Sequence, residues 1–240
     1  MDPRIQKIKE RIERPATEFF TGGFRPQNIL EESWIGRVFA YTKDEEIPLD
    51  QQGNPMMPLL QLYLPNQPFV PEQIKDKKLM TVFISYDFPQ TFEKMGSNWL
   101  IREYDDLEDI VVKDLRSSAS YLKPFPMTSK LVPTDAPLWD GGGIEDIDYS
   151  LISEIVKLER EGLFDSYFKF TEHSYRTKLG GYPSFCQPGI GFKDGFGKGF
   201  EFVFQVSSDE KACLNVIDSG SFMFAKNTET GEWSLYYDFF

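Results

Sequence analysis

Histidine is all but missing from this 240-residue chain, and cysteine is scarce. The one histidine, His173, cannot build a multi-histidine metal site. Its polar neighbours, Thr171 to Tyr175, predict an exposed loop or strand end. The two cysteines, Cys186 and Cys213, form no CxxC pair and no metal-spaced cluster. They read as two buried thiols in a reducing cytosol, with a disulfide between them as the alternative. No apolar run approaches the ~20 residues of a membrane helix. Residues Met1 to Arg14 are charged and lack the apolar stretch of a secretory signal. These absences predict a cytoplasmic protein with no membrane partner. Basic residues are also in deficit, 26 Lys and Arg against 38 Asp and Glu, for a net charge of −12. Phosphate contacts need a basic face, so direct binding of nucleic acid is disfavoured.

The common reaction centres are missing as well. Neither cysteine has a basic neighbour, and no GxSxG surrounds a serine, so nucleophilic catalysis has no support. Gly141-Gly142-Gly143 lacks the GxxxxGK[ST] pattern of a phosphate loop and reads as a flexible turn. It does not open a calcium loop either. Carboxylate pairs are frequent, but nothing in the sequence sets two of them at the separation glycoside hydrolysis needs. The chain reads as a protein without cofactor or metal that is not an enzyme.

What the chain does have is acid, aromatic rings and a repeat. From Ile101 to Asp165 there are seven Lys and Arg against fifteen Asp and Glu, about two-thirds of the whole excess. Such a field attracts and steers a basic partner, and it also serves solubility. The candidate contact residues are Asp105, Asp106, Glu108, Asp109, Glu145, Asp146 and Asp148. Aromatic residues make up 15%, which favours strands and broad packing surfaces. Ile35-Gly36, Gly53 and Leu59-Leu60-Gln61-Leu62 recur 144 positions later as Leu179-Gly180, Gly197 and Val203-Phe204-Gln205-Val206. Gly96 to Ile101 has a second counterpart in Gly231 to Leu235.

The expected fold is therefore α+β and mostly antiparallel β. It has two pseudo-duplicated strand-rich halves, about 33–116 and 177–240, joined by 117–176 within a single domain, 1–240. Asp2-Pro3 and the stripe Ile5, Ile8, Ile12 predict an N-terminal helix over 3–14, ended by Pro15 and packed on the body. Strands are expected at 34–41, 57–64, 79–86 and 98–104, then a short helix over 105–115 with Leu107, Ile110 and Val111 facing in. Residues 117–143, rich in Pro and Ser, read as the connection between halves. A mid-chain helix follows over 148–161, stopped by Gly162. The second half brings strands at 200–206, 221–225 and 233–237, and an aromatic terminus expected to be docked.

The repeated Gly36 and Gly180 predict backbone with φ > 0 or close approach. The repeated Gln61 and Gln205 lie in apolar strands, where an amide must be fully hydrogen-bonded. They pin a neighbouring loop, or they read a ligand in a cleft between the halves.

Lys178-Leu179-Gly180-Gly181-Tyr182-Pro183-Ser184-Phe185-Cys186-Gln187 resembles the Leu-Gly-Gly-x-Pro…Gln motif of the YwqG-like family, a bacterial domain. Phe202 to Asp209 and Ser221 to Phe224 resemble its later strands, and Gly53 to Gln61 resembles its first half. The family's Trp-Gly-Asp-x-Gly is represented by Val216 to Gly220, with Asp218 and Gly220 kept. The resemblance runs from about Ile35 onward. It implies a duplicated, mostly antiparallel β fold and no settled enzyme activity. It also implies a partner, since some members act as immunity proteins that neutralise bacterial toxins, nucleases among them. On that reading the partner is a basic, nuclease-like protein toxin of a type VI or other polymorphic system. The alternative is a small ligand held near Gly36, Gln61, Gly180, Gly181, Gln187, Gln205 and Asp218.

Overall fold

The computed structural model describes residues 2–139, 143–187 and 189–240, with Glu145 by its backbone alone. Of the expected flexible turn, Gly141 and Gly142 lie outside the described residues, as does Asp140, and Gly143 begins a helix. Helix α1 (Pro3–Ile12) leads directly into β1 (Arg14–Thr21). Next come β2 (Ser33–Ile35), β3 (Ala40–Thr42), β4 (Met57–Tyr63), β5 (Leu79–Ile84), β6 (Trp99–Tyr104), β7 (Ile110–Val112) and β8 (Phe125–Asp135). Helices α2 (Gly143–Ile147), α3 (Tyr149–Arg160) and α4 (Tyr167–Phe170) precede β9 (Lys178–Gly180), β10 (Phe200–Ser207), β11 (Ser221–Asn227) and β12 (Trp233–Asp238).

Ten strands form one antiparallel sheet in the order β12-β11-β10-β9-β1-β8-β2-β4-β5-β6, and β3 pairs with β7 apart from it. The order is symmetric about the β1–β8 pair. On one side lie the four strands of the first half, on the other their counterparts from the second. The sequence repeat survives as pairing register. Trp34 faces Gln61 and Ile35 faces Leu60, while Lys178 faces Gln205 and Leu179 faces Phe204. A bulge interrupts β4 between Pro58 and Leu60, and another interrupts β10 at the matching place, between Phe202 and Phe204. The leading strands are exchanged: β1 pairs with β9 of the second half, and β8 pairs with β2 of the first. Thr17 opposite Leu179 corresponds to Phe125 opposite Ile35. The same spacing relates Phe20 to Thr128, which face each other, so a pseudo-twofold axis passes between them.

The sheet curls until the inner faces of both halves share one core. Phe88 packs edge-on against Phe222, Trp99 lies tilted against Phe224, and the Phe92 N–H donates to the Leu235 carbonyl at 2.7 Å. A second core gathers the helices at the end of β8, where Ile5, Ile8 and Ile12 meet Ile144, Leu151, Ile155 and Tyr167. The N-terminal stripe thus packs on the body, and Asp2 caps α1 by accepting the Arg4 N–H at 2.8 Å.

Gly36 and Gly180 both sit at φ +73°. A β-carbon would fall 2.5 Å from the Lys123 carbonyl oxygen at Gly36, and 2.4 Å from the Phe69 ring at Gly180. Both reasons for glycine, left-handed backbone and close approach, hold at both positions. Gly36 is also why 34–41 is not one strand: the chain turns there and β3 leaves for its own ribbon.

Three further expectations are corrected. Residues 105–115 are not a helix. Asp106 Oδ1 accepts the Glu108 N–H at 3.0 Å, closing a turn, and the β-branched Ile110-Val111-Val112 pairs with Ala40–Thr42. Residues 117–143 are not mere connection, since they hold the longest strand, β8, at the middle of the sheet. Its prolines misled the reading: Pro133 falls where the register slips between Arg14 and Ala16, and Pro126 still offers its carbonyl to the Gly22 N–H. Finally, β1 begins two residues after α1, where only a helix end was expected. At the other end of the chain the Phe240 backbone is held by the Asp218 carbonyl, while its ring is exposed. Cys186 and Cys213 are free and half-buried, and burial pushes the Cys186 thiol up to about 11.

Candidate functional site

The two repeated glutamines are fully buried and perform the same task twice. Gln61 Oε1 accepts the N–H groups of Phe39 (2.8 Å) and Ala40 (3.0 Å), and its Nε2 donates to the Glu32 carbonyl at 3.0 Å. Gln205 Oε1 accepts the Ser184 N–H at 3.0 Å, and its Nε2 donates to the Arg176 carbonyl at 2.9 Å. Ala40 matches Ser184 and Glu32 matches Arg176 in the repeat. The amides pin the loops on either side of the short strands β2 and β9. Carbonyl and amino group are engaged in both, so neither reads a ligand.

The second half adds a buried polar cluster that the first half lacks. Lys178 and Asp135 are fully buried, and Lys178 Nζ donates to Asp135 Oδ2 at 2.8 Å and to the Ser174 carbonyl at 2.5 Å. Asp135 also accepts the N–H groups of Ser174 (2.6 Å) and Tyr182 (2.8 Å). Burial pushes the Lys178 ammonium below its ordinary value, and the Asp135 carboxylate opposes that shift. Gly181 makes room: a β-carbon there would lie 2.1 Å from Asp135 Oδ2.

His173 joins this cluster. Its Nδ1 lies 2.7 Å from the Ala136 carbonyl and its Nε2 2.8 Å from Ser184 Oγ. Only 7% of its side chain is exposed, which corrects the expectation of an exposed residue. The ring is engaged at both nitrogens by groups distant in sequence, Ala136 just past β8 and Ser184 past β9, which no local pattern announces. Burial, with the nearby Lys178 charge second, holds the imidazole down to about 4. The ring is therefore neutral, with its proton on Nδ1 facing a carbonyl that can only accept. Ser184, His173 and Asp135 have the composition of a catalytic triad but not its geometry. His173 Nδ1 is 3.8 Å from Asp135 Oδ1 and bonds elsewhere, and Ser184 is 1% exposed. The cluster holds the 173–184 segment in place.

The acidic candidates separate into two places. Asp105, Asp106, Glu108 and Asp109 share the exposed turn between β6 and β7. Asp105 pairs with Lys77 at 2.5 Å, and that hydrogen bond lowers its pKa. Asp106, Glu108 and Asp109 have no cation partner among the described residues. Asp146 and Asp148 lie in the helical layer instead. Asp146 Oδ2 accepts the Lys193 N–H at 2.8 Å. Asp148 Oδ1 caps α3 by accepting the Ser150 N–H at 2.8 Å, and its Oδ2 meets Arg11 at 2.5 Å. The hydrogen bonds from Ser150, and then the Arg11 charge, hold its carboxyl low. These two carboxylates are structural. The Glu145 side chain lies outside the described residues. Gln187 and Asp218 both serve the last residues: Gln187 Nε2 donates to the Phe239 carbonyl at 3.2 Å, and the Asp218 carbonyl accepts the Phe240 N–H at 3.1 Å.

Folding adds residues to the acidic turn that the linear reading missed. Because Thr42 faces Ile110, the turn after β3 brings the exposed Asp44 to the same end of the β3–β7 ribbon as Glu108 and Asp109, while Glu46 pairs with Lys113 at 3.6 Å. Val111 and Val112, 41% and 52% exposed, lie next to these acids, so Val111 does not face in. No local sequence signal links 42–46 to 108–112; only the β3–β7 pairing does.

Compared with known proteins, the chain matches no family model and no curated sequence. Among the described residues, no group of three or more His, Cys, Asp or Glu is placed to hold a metal ion, and no helix is long and apolar enough to cross a membrane.

Proposed function

We propose that this protein is a non-enzymatic immunity protein, acting in the cytoplasm, that binds a basic, nuclease-like toxin and blocks its substrate cleft. The observation that carries the reading is the β6–β7 turn with its β3 neighbour. It presents Asp44, Asp106, Glu108 and Asp109, with no cation partner among the described residues, beside two exposed valines. A nuclease cleft is lined with cations for phosphate. An acidic turn with an apolar centre matches such a cleft in charge and excludes the nucleic acid by occupying it. The net charge of −12 supports fast, steered association with a basic partner. The YwqG-like motif around Gly180 supports the same assignment.

The test is calorimetric titration against the toxin encoded beside this chain, with a nuclease assay in parallel. The expected result is a dissociation constant below about 1 μM that weakens with added salt, together with loss of nuclease activity. Replacing Asp106, Glu108 and Asp109 together by their amides should weaken binding by about tenfold or more, mainly through the on-rate. Affinity no tighter than micromolar, or indifferent to all three substitutions, would overturn the proposal.

A further inference from the structure

A cleft of about 570 Å³ opens between the halves, away from the acidic turn. Its volume lies within the about 300–1,000 Å³ typical of small-molecule sites. The first half supplies Phe92, and the second supplies Phe196, Phe200 and Trp233. Two carboxylates stand at the rim, Asp194 and Glu232. Both are exposed and in no ion pair among the described residues, and Glu232 Oε2 accepts from the Thr230 hydroxyl at 3.2 Å. A third acid, Glu93, is committed: its oxygens accept from the Asn98 amide at 2.7 Å and the Gln90 N–H at 2.8 Å. The only lining cation is Lys94, whose exposed side chain sits on a flexible stem.

The backbone is strained on both sides of this opening. Phe92 and Asp194 hold φ +62° and +61°, the left-handed region that non-glycine residues rarely occupy. Such outliers persist where the surroundings enforce them, and they concentrate at ligand sites. At Phe92 the enforcing contacts are visible. Its N–H is bonded to the Leu235 carbonyl, and its ring stacks on Tyr236 with centroids 5.5 Å apart. The strain fixes an exposed aromatic ring at the mouth of the cleft instead of letting it fold away.

From this arrangement we infer that the cleft binds a small organic cation, an alkylammonium or guanidinium group on a short apolar body. Aromatic faces attract cations within about 6 Å of the ring centroid, and the attraction grows on desolvation. Trp233 is 6% exposed and already has Lys226 Nζ 5.3 Å from its centroid, so the rings open to a ligand cation are Phe92, 49% exposed, and the half-buried Phe200. The rim carboxylates, in no ion pair among the described residues, supply the long-range attraction, and the rings accommodate the apolar body. An anion would meet two carboxylates outside any described ion pair and one exposed lysine. A neutral apolar molecule would gain the rings but nothing from the charges. This site stands apart from the toxin interface and does not depend on it.

The test uses the full chain, titrated with choline, with arginine methyl ester and with 3,3-dimethylbutan-1-ol, the neutral isostere of choline. Binding is read by calorimetry and by the Trp233 indole N–H signal. At least one cation should bind about tenfold or more tighter than the neutral alcohol. Asp194→Asn with Glu232→Gln should remove most of that preference. Asparagine tolerates positive φ, so this variant keeps the turn. Lys94→Gln should tighten binding severalfold. Equal affinity for choline and its isostere overturns the inference, as does no binding of either cation at 10 mM, or a cation affinity that the double substitution leaves unchanged. The acidic-turn amide variant should bind these cations as the parent does, so failure here and failure of the toxin reading are separate results.

Discussion

Replacing the two repeated glutamines by leucine gives a test in which the fold serves as its own control. Gln61→Leu and Gln205→Leu are matched substitutions at equivalent, fully buried positions, so volume and apolar transfer cancel to first order. Each strands loop acceptors: the Glu32 carbonyl, with that of Leu30 at 3.5 Å, in one copy, and the Arg176 carbonyl, with the Ser184 and Ser207 hydroxyls, in the other. The copies differ in the donors left behind. Gln61 Oε1 satisfies two buried N–H groups, those of Phe39 and Ala40, whereas Gln205 Oε1 satisfies only that of Ser184. The residue equivalent to Phe39 is Pro183, which has no N–H to lose.

A buried group left unpaired costs about 1–3 kcal/mol. The donors alone then make Gln61→Leu cost about 2–6 kcal/mol and Gln205→Leu about 1–3 kcal/mol. Against a total stability of about 5–15 kcal/mol, the first substitution approaches the limit of what the fold tolerates. Urea denaturation followed by tryptophan fluorescence measures both, and an unchanged m-value confirms that the folded state has kept its compactness. A loss under about 1 kcal/mol in both variants, or a larger loss at Gln205 than at Gln61, refutes the pinning role.

Acid should destabilise the protein through His173. Its folded value of about 4 lies below the ordinary 6.5, so the stabilisation is full above pH 6.5 and is lost as pH falls towards 4. The loss amounts to about 3 kcal/mol, and the stability–pH curve of His173→Gln should lack that share of the slope; identical slopes for the two proteins would contradict this. Lys178→Met leaves the Asp135 carboxylate buried without its cation and should cost about 3–5 kcal/mol in denaturant titration. Gly181→Ala presses on the same carboxylate, so the two changes together should cost less than their sum; additivity in the double-mutant cycle would show that they act separately.

The repeat was legible because it lies in residues whose job is local to each half. The constant spacing of Gly36 with Gly180 and of Gln61 with Gln205 reappears as the same turn, the same bulge and the same loop pins. Helices with strong periodicity and caps, over 3–12 and 149–160, were legible for the same reason. The centre of the sheet was not. Nothing in Arg14–Thr21 or Phe125–Asp135 announces that each strand completes the sheet of the opposite half, because pairing over more than a hundred residues leaves no local pattern. The acidic region misled in the opposite way. Its carboxylates are near one another in sequence, yet Asp148 caps a helix while Glu108 faces solvent, and the acid brought to the same end of the ribbon, Asp44, comes from the turn after β3.

The exchange of β1 and β8 explains why two copies of one pattern could diverge without losing the scaffold. Each half's sheet is completed by a strand from the other, so the halves are held through the central pairs whatever their outer turns become. At the seam the copies took different chemistry. In the second half Lys178 pairs with the buried Asp135 at the end of β8, and Gly181 packs against that carboxylate. The first half has Trp34 where Lys178 stands and Arg37 where Gly181 stands. Arg37 lies over the rings of Phe39 at 3.7 Å and Trp34 at 5.6 Å and pairs with Asp114 at 2.7 Å. Neither solution survives piecemeal exchange. A lysine at position 34 would be buried with no carboxylate beside it, and an arginine at 181 would collide with Asp135. The unit that varies between the copies is therefore the whole cluster. The glutamine pins beside it stay fixed because both clusters need the same two loops held.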